Sequence, residues 1–512
     1  MTLKASDNHS PLIVVSDARV RIGRRRILSI DQFRIQPGEH WCVLGGNGAG
    51  KSLLARLLCG ELVSGRQAVA YRADFDPARH IETVSFEEQQ RLWALDNRHD
   101  ISEYSAEAQD AGTTVARFIC GSRSPQLLDQ ASTLALLVRL EIDTLLQRGI
   151  RFLSSGQMRK VMVARALLSK TAGEKRLLVL DDPLEAIDRQ SAPGVRDLLR
   201  QWMDSETATV LLSRREKEIL PGITHLALME NLQLVGRGPI DTMPASEAYQ
   251  RIAHPEVNAP AVLPVPGPQE CRQDTDVAPV RLNKVTAAYG DRLVLNQASW
   301  LMKAGDHTLI EGPNGCGKST LLSLIDGENH KAYGQEVYLF GVRRGSGESV
   351  WDIKSYFGIV SNEIHNRYVK GWKVLDVVVS GFFDSVGLYD DSGASQEEMA
   401  RAWLKSLGLI DLAGDYFHEI SFGQQRLTLL ARAMVKQPAV LILDEPCVGL
   451  DDYFRRLVLL TVDCIAEQTR TQIIYVSHTE GEEPRCINQR LRFEAAPGGG
   501  FRLLEKSGAA TG

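Results

Sequence analysis

Apolar and polar positions along the 512-residue chain fall into blocks with two different periods. Short apolar runs predict strands: Trp41-Cys42-Val43-Leu44, Leu178-Val179-Leu180 and Thr209-Val210-Leu211-Leu212. The same trio returns later as His307-Thr308-Leu309-Ile310, Leu441-Ile442-Leu443 and Gln472-Ile473-Ile474-Tyr475-Val476. Amphipathic helices are predicted over 53–58 and 321–325, each shortly after the first run of its set. Further strand candidates end at Val84 and at Ile359-Val360. The segments behind them, about 87–152 and 363–419, are helix-rich, and 376–383 and 396–407 carry apolar residues at helical spacing. The pattern is an α/β core with a helical insertion, written twice.

Between the first strand and the first helix of each half lies a glycine-rich turn. Gly45-Gly46-Asn47-Gly48-Ala49-Gly50-Lys51-Ser52 and Gly312-Pro313-Asn314-Gly315-Cys316-Gly317-Lys318-Ser319, the latter followed by Thr320, both fit G-x-x-x-x-G-K-[ST]. In that spacing the glycines let backbone N–H groups turn inward onto phosphate oxygens. The lysine adds charge at the outer phosphates, and the serine hydroxyl can ligate Mg²⁺. Lys318 lies 267 positions after Lys51, and Ser421 of Ile420-Ser421-Phe422-Gly423-Gln424 lies 267 after Ser154 of Leu153-Ser154-Ser155-Gly156-Gln157. Asp444, closing Leu441-Ile442-Leu443-Asp444-Glu445-Pro446, lies 263 after Asp181 of Leu178-Val179-Leu180-Asp181-Asp182-Pro183. One domain of roughly 240 residues is therefore present twice. Residues 1–245 form the first copy, 246–279 a linker and 280–512 the second copy. Pro255, Pro260, Pro264, Pro266, Pro268 and Pro279 predict an extended, semi-rigid linker.

Composition narrows the setting. A net charge of −5 gives no support for nucleic-acid binding, and Arg24-Arg25-Arg26 reads as a local solvated face. No apolar run reaches the roughly 18 residues needed to span a bilayer. The N-terminus lacks a secretion-signal pattern. The eight cysteines are scattered without a C-x-x-C pair, the usage of reduced thiols in a cytoplasmic protein. Any membrane association would be peripheral, at the inner face of the cell membrane.

The order of phosphate loop, L-S-x-G-Q element and aspartate strand resembles the ATP-binding-cassette (ABC) ATPases, in both copies. The resemblance implies two tandem P-loop NTPase (ABC) nucleotide-binding domains of the α/β class, each with a helical subdomain insertion, and ATP and Mg²⁺ as cofactors. Gly45 to Ser52 and Gly312 to Thr320 would hold phosphate. Ser52 with Asp181, and Ser319 with Asp444, would hold the metal. Glu445 and Asp182 would stand where the family orients the attacking water, and Lys318 would neutralise charge. Ser154, Ser155, Gly156 and Gln157 in one copy, and Ser421, Gly423 and Gln424 in the other, would cap the γ-phosphate held by the opposite domain. Tyr289 would stack on adenine, with Ile22 in its place in the first copy. His478 would be the switch histidine, replaced by Arg214 in the first copy. Pro183 to Asp188 and Pro446 to Asp451 resemble the family's D-loop.

The two copies depart from the family pattern unequally. The first has Asp182, Arg214 and Ile22 where the second has Glu445, His478 and Tyr289, and Phe422 crowds the second signature. The family's Q-loop glutamine is Phe86 in one copy and Asn362 in the other. The stretches 339–354 and 380–385 resemble a tandem subgroup known as molybdenum-transport ATP-binding or photorepair proteins (ModF-like). Three roles stay open: an ATP-binding subunit of a molybdate-type importer on an integral membrane permease, a soluble translation-factor type, or a DNA-repair ATPase. The chain is expected to hydrolyse ATP mainly at the Lys318 site. It is expected to pair its domains head-to-tail around ATP, as a monomer or through a homodimer.

Overall fold

In a computed structural model of the chain, the short apolar runs become the central strands of two sheets. Residues 10–507 are described except 23–25, 63–67, 99–111, 122, 170–174, 186, 188–190, 265–276, 291, 314, 328, 369–370, 388–392 and 478–481. The chain divides into two units, Met1–Pro255 and Glu256–Gly512.

The first unit runs β1 (Ile13–Ile22), β2 (Arg26–Ile35), β3 (His40–Leu44), α1 (Lys51–Leu58), β4 (Val69–Tyr71), β5 (Ile81–Val84), α2 (Phe86–Arg98), α3 (Ser155–Leu168), β6 (Arg176–Asp181), β7 (Thr207–Ser213), β8 (His225–Glu230), β9 (Gln233–Pro239) and α4 (Glu247–Ala253). Its strands form one sheet in the order β4-β1-β2-β9-β8-β3-β7-β6-β5. The strands β5-β6-β7-β3-β8 are parallel, and β1 pairs antiparallel with β2 and β4. Both β3 and β7 are buried at every residue, as expected of parallel strands covered on both faces. Along β6 the side chains alternate between two cores. Leu178 and Leu180 pack with α3 on one side, and Leu177 and Val179 pack with α1 and the antiparallel strands on the other.

The second unit repeats the plan with β10 (Val280–Tyr289), β11 (Arg292–Met302), β12 (Thr308–Glu311), α5 (Lys318–Ile325), β13 (Glu336–Leu339), β14 (Val342–Arg343), β15 (Phe357–Val360), α6 (Asn362–Arg367), α7 (Phe422–Met434), β16 (Val440–Asp444), α8 (Asp452–Gln468), β17 (Gln472–Val476), β18 (Gln489–Ala495) and β19 (Phe501–Ser507). The sheet order is β14-β13-β10-β11-β19-β18-β12-β17-β16-β15. In the insertion the expected helix over 376–383 is an α-helix over Val374–Val379 that tightens into a 3₁₀ turn over Ser380–Phe383. There the Ser380 hydroxyl donates back to the Val377 carbonyl at 2.7 Å.

The expected linker over 246–279 differs at both ends. Ser246 caps α4, and Tyr249 and Ala253 bury into the first unit. Leu263 is buried in the second unit, where its N–H donates to Gln468 Oε1 at 3.0 Å. The stretch 265–276 lies outside the described residues. Among those described, no helix is long and apolar enough to cross a membrane.

Candidate nucleotide-binding sites

Each phosphate loop joins a buried strand to a short helix through a left-handed glycine. Gly50 and Gly317 sit at φ 102° and 107° immediately before α1 and α5, a region where a side chain would clash with its own backbone. The turn leaves each lysine nearly buried and folded back over its loop. Lys51 Nζ donates to the carbonyls of Gly45 (2.8 Å) and Gly46 (3.0 Å), and Lys318 Nζ to those of Gly312 (2.9 Å) and Pro313 (3.2 Å). Both ammonium groups are thus held at the loop by neutral acceptors. Cys316 is buried within the second loop, where burial pushes its thiol pKa up, against the pull of Lys318.

The aspartate strands deliver two acids side by side. Asp181 ends β6, and its Oδ2 accepts a 3.1 Å hydrogen bond from Ser52 Oγ. The structure therefore joins two residues that lie 129 positions apart in sequence. In the second unit Ser319 and Asp444 line one cavity of about 440 Å³, with Tyr289, Val294, Gly315, Gly317, Lys318, Thr320 and Glu445. Hydroxyl plus carboxylate is the hard-oxygen donor set that suits Mg²⁺, which keeps most of its shell for water and phosphate. Asp444 is pushed up to about 6, by burial first and then by Glu445, with Lys318 and Arg426 opposing. The residues after these strands adopt the left-handed conformation, Asp182 at φ 43° and Glu445 at φ 50°. This costs a non-glycine residue about 1–3 kcal/mol and turns each acid out of the sheet.

The two acids then differ. Asp182 Oδ2 lies 2.6 Å from Arg214 Nη2, and the same nitrogen lies 3.1 Å from Glu185 Oε1. Burial pushes Asp182 upward, aided by Asp181, Glu218 and Glu185, while Arg214 pulls it down. Glu445 occupies the corresponding place in the second unit beside the cavity that Lys318 lines.

Both signature elements begin helices. Ser154 Oγ accepts from Gln157 N (3.2 Å) and Gln157 Oε1 from Ser154 N (3.1 Å); Ser421 and Gln424 do the same at 3.3 and 2.9 Å. These reciprocal caps fix the first turns of α3 and α7. Ser155 is exposed, Gly156 half-buried and Gly423 buried. Phe422 is exposed at the second start, where its ring stacks on His365 (4.8 Å) and lies 5.3 Å from the Arg426 guanidinium.

Tyr289 lines the cavity, with its hydroxyl accepting from Asn329 Nδ2 (2.9 Å) and Lys331 Nζ 4.9 Å from its ring. A ring anchored in this way can present a face to a base. Gly46, Asn47, Gly48 and Ala49 lie in the turn between β3 and α1. His478, Asn314 and Asp188 lie outside the described residues, as do Arg24 and Arg25 and the side chains of Ile22 and Phe86.

Sequence reading missed a pair of buried arginines. Arg159 and Arg426 are each 1% exposed, five positions after the capping serine and 267 positions apart. Arg159 Nη1 donates to the Asp181 carbonyl (3.5 Å), and Arg426 Nη2 donates to Asn362 Oδ1 (2.5 Å). Their shared offset, equal to that of the phosphate loops, was the available signal. Glu185 was read only as part of the D-loop-like stretch Pro183 to Asp188, and nothing in its spacing pointed to Arg214.

Comparison with known proteins agrees with this geometry. Residues 28–185 and 295–448 match the ABC transporter family. The chain is 35% identical over 487 residues to the ABC transporter ATP-binding protein ModF of Escherichia coli K12, covering 94% of this chain and 96% of that protein. It is 25% identical over 480 residues to an uncharacterised ABC transporter ATP-binding protein of Schizosaccharomyces pombe, covering 90% and 93%. Among solved structures it is similar in fold to an archaeal ribosome recycling factor, aABCE1, crystallised with a ribosomal stalk protein. The TM-score is 0.56 at 17% identity, over 96% of this chain and 90% of that one. With two cassette regions in one chain and this extent of identity, the protein belongs to the ABC family as a tandem, ModF-like ATP-binding protein.

Proposed function

We propose that the chain hydrolyses ATP, chiefly at the site built on Lys318, and that the first site retains its nucleotide longer. The observation that carries this reading is the contrast between the two acids. Glu445 stands beside a cavity lined by Tyr289, Lys318, Ser319 and Asp444, whereas Asp182 is ion-paired to Arg214. Phosphoryl transfer to water depends on positioning and charge neutralisation. Lys318 and the loop N–H groups hold the outer phosphates, Ser319 and Asp444 would hold Mg²⁺, and Glu445 orients the water, with His478 as the further phosphate contact. The metal, when bound, screens the phosphate charge. The signatures at Ser154 and Ser421 would complete the sites by head-to-tail pairing of the domains.

Glu445→Gln should abolish most turnover while ATP binding persists, and Asp182→Asn should do much less. Equal loss of kcat in steady-state assays would remove the asymmetry. A molybdate-type importer subunit on a permease is the second reading, supported by the ModF likeness. The family's Q-loop glutamine is absent from both copies, and Asn362 is engaged by Arg426. Both facts favour an ATPase that works without a membrane partner. Basal Mg²⁺-ATP hydrolysis by the purified chain supports that view, and activity appearing only with a reconstituted membrane protein restores the importer.

A further inference from the structure

We propose that Arg214, Asp182 and Glu185 form an ion-paired lock that stops the first site from activating water, and that the lock is one arginine deep. The proposal rests on the reading of both sites as ATP-binding, given above.

Three observations support it. One guanidinium nitrogen of Arg214 is within ion-pair distance of both carboxylates, 2.6 Å from Asp182 and 3.1 Å from Glu185, and the three side chains are only 14–28% exposed. Charge-assisted contacts this short and this poorly hydrated occupy the Asp182 oxygen that a water would need. The lock also sits at the phosphate end of the site, because Asp182 follows the Asp181 that accepts from Ser52. Finally, its members change together between the copies. At the offset of 263 that aligns the aspartate strands, Asp182 and Glu185 correspond to Glu445 and Val448, and Arg214 in Leu212-Ser213-Arg214 corresponds to His478 in Val476-Ser477-His478, 264 positions on. The second copy thus lacks both the guanidinium and the second carboxylate at those positions.

The blocked step is ordinary hydrolysis. The water oxygen forms a bond to the γ-phosphorus, and the bond to the bridging oxygen breaks with its electron pair leaving on ADP. A water proton is released by way of the carboxylate. An Asp182 oxygen held by Arg214 is not free to orient that water or to take its proton. Arg214 is therefore a positioning residue that acts through Asp182.

The test uses the full chain with the second site silenced by Lys318→Ala. Bound ³²P-ATP and single-turnover phosphate release are measured at saturating Mg²⁺-ATP. The Lys318→Ala chain should hold one ATP and release phosphate at a background rate. Adding Arg214→His should raise release by roughly 10²-fold, the lower range of what a positioned base contributes. Adding Arg214→Lys should not raise it, because the cation remains. If Arg214→His fails to fold, Arg214→His with Glu185→Gln removes one acid along with the guanidinium and should show the same gain. ATP bound without any gain in either variant overturns the lock alone. A Lys318→Ala chain that binds no ATP overturns both the lock and the reading of the first site.

Discussion

Replacing Gly423 by alanine should destabilise the second unit and displace its signature turn. A Cβ at position 423 would stand 2.2 Å from both Cγ and Cδ2 of Phe454 and 2.7 Å from Cε2. Carbon atoms in contact prefer about 3.5–4.0 Å, so the overlap is roughly 1.5 Å. Turning the ring about the Cβ–Cγ bond gives no relief, since Cγ is itself in the overlap. Its residue is also pinned at the start of α8, where Phe454 N donates to the capping Asp451 carboxylate at 2.8 Å. The starts of α7 and α8 must therefore part. Overpacking of this kind costs about 1–3 kcal/mol, and the better helix propensity of alanine returns about 0.5–1 kcal/mol. The expected net loss is about 1–2 kcal/mol in urea denaturation. Phe454→Ala removes all the clashing atoms, so Gly423→Ala should cost much less in that background, with a coupling above about 1 kcal/mol. Gly423→Ala with stability unchanged from the parent would refute the packing argument.

Lys51→Ala and Lys318→Ala should each remove about one bound ATP per chain in equilibrium dialysis, because each ammonium is the cation held at its own loop. A single variant that empties both sites would count against independent loops. Burial, followed by the charge of Arg426, lowers His365 to about 4, with the Gln425 hydrogen bond opposing. Its unfolded pKa is about 6.5. Below that value the unfolded chain takes a proton that the folded chain refuses, so stability falls as pH drops from about 6.5 toward 4 and is unaffected above. The contribution is about 2–3 kcal/mol at the acid end, and His365→Gln should flatten that part of the stability–pH curve. The buried Cys316 thiol should resist N-ethylmaleimide in the native chain, and rapid inactivation reversed by Cys316→Ser would contradict its burial.

The duplicated plan was legible because its carriers are local. Buried strands show as apolar runs, the phosphate loop needs its glycines at fixed spacing, and Ser154 and Ser421 cap helices with a glutamine three residues on. Helix α4 was hidden by its neighbourhood: the prolines that begin at Pro255 drew the linker boundary back over a capped helix with Tyr249 and Ala253 on one face. Spacing also cannot reveal where a long side chain turns. Arg214 was readable as a replacement for histidine, but its hold on Asp182 and Glu185 depends on how the ends of β6 and β7 meet. The left-handed backbone at Asp182 and Glu445 was equally silent, since few non-glycine residues adopt it and nothing local marks these two.

Charge balance links the buried arginines to the divergence between the copies. In the first unit burial raises Asp182, and Asp181, Glu218 and Glu185 add to the rise. Leaving such a group uncompensated costs several kcal/mol, so the acids need cations close by. Arg159 supplies one from α3 and Arg214 another from the end of β7. In the second unit Val448 stands where Glu185 would, and Asp444 is opposed by Lys318 and Arg426. With one acid fewer there, no guanidinium is required at the end of β17. Substituting Arg214 alone therefore changes two things at once, freeing an oxygen of Asp182 and stranding Glu185. The chemistry of the first site and the stability of its unit are coupled through that single side chain. A paired substitution that removes Arg214 and Glu185 together should separate them, restoring stability toward the parent while leaving Asp182 free.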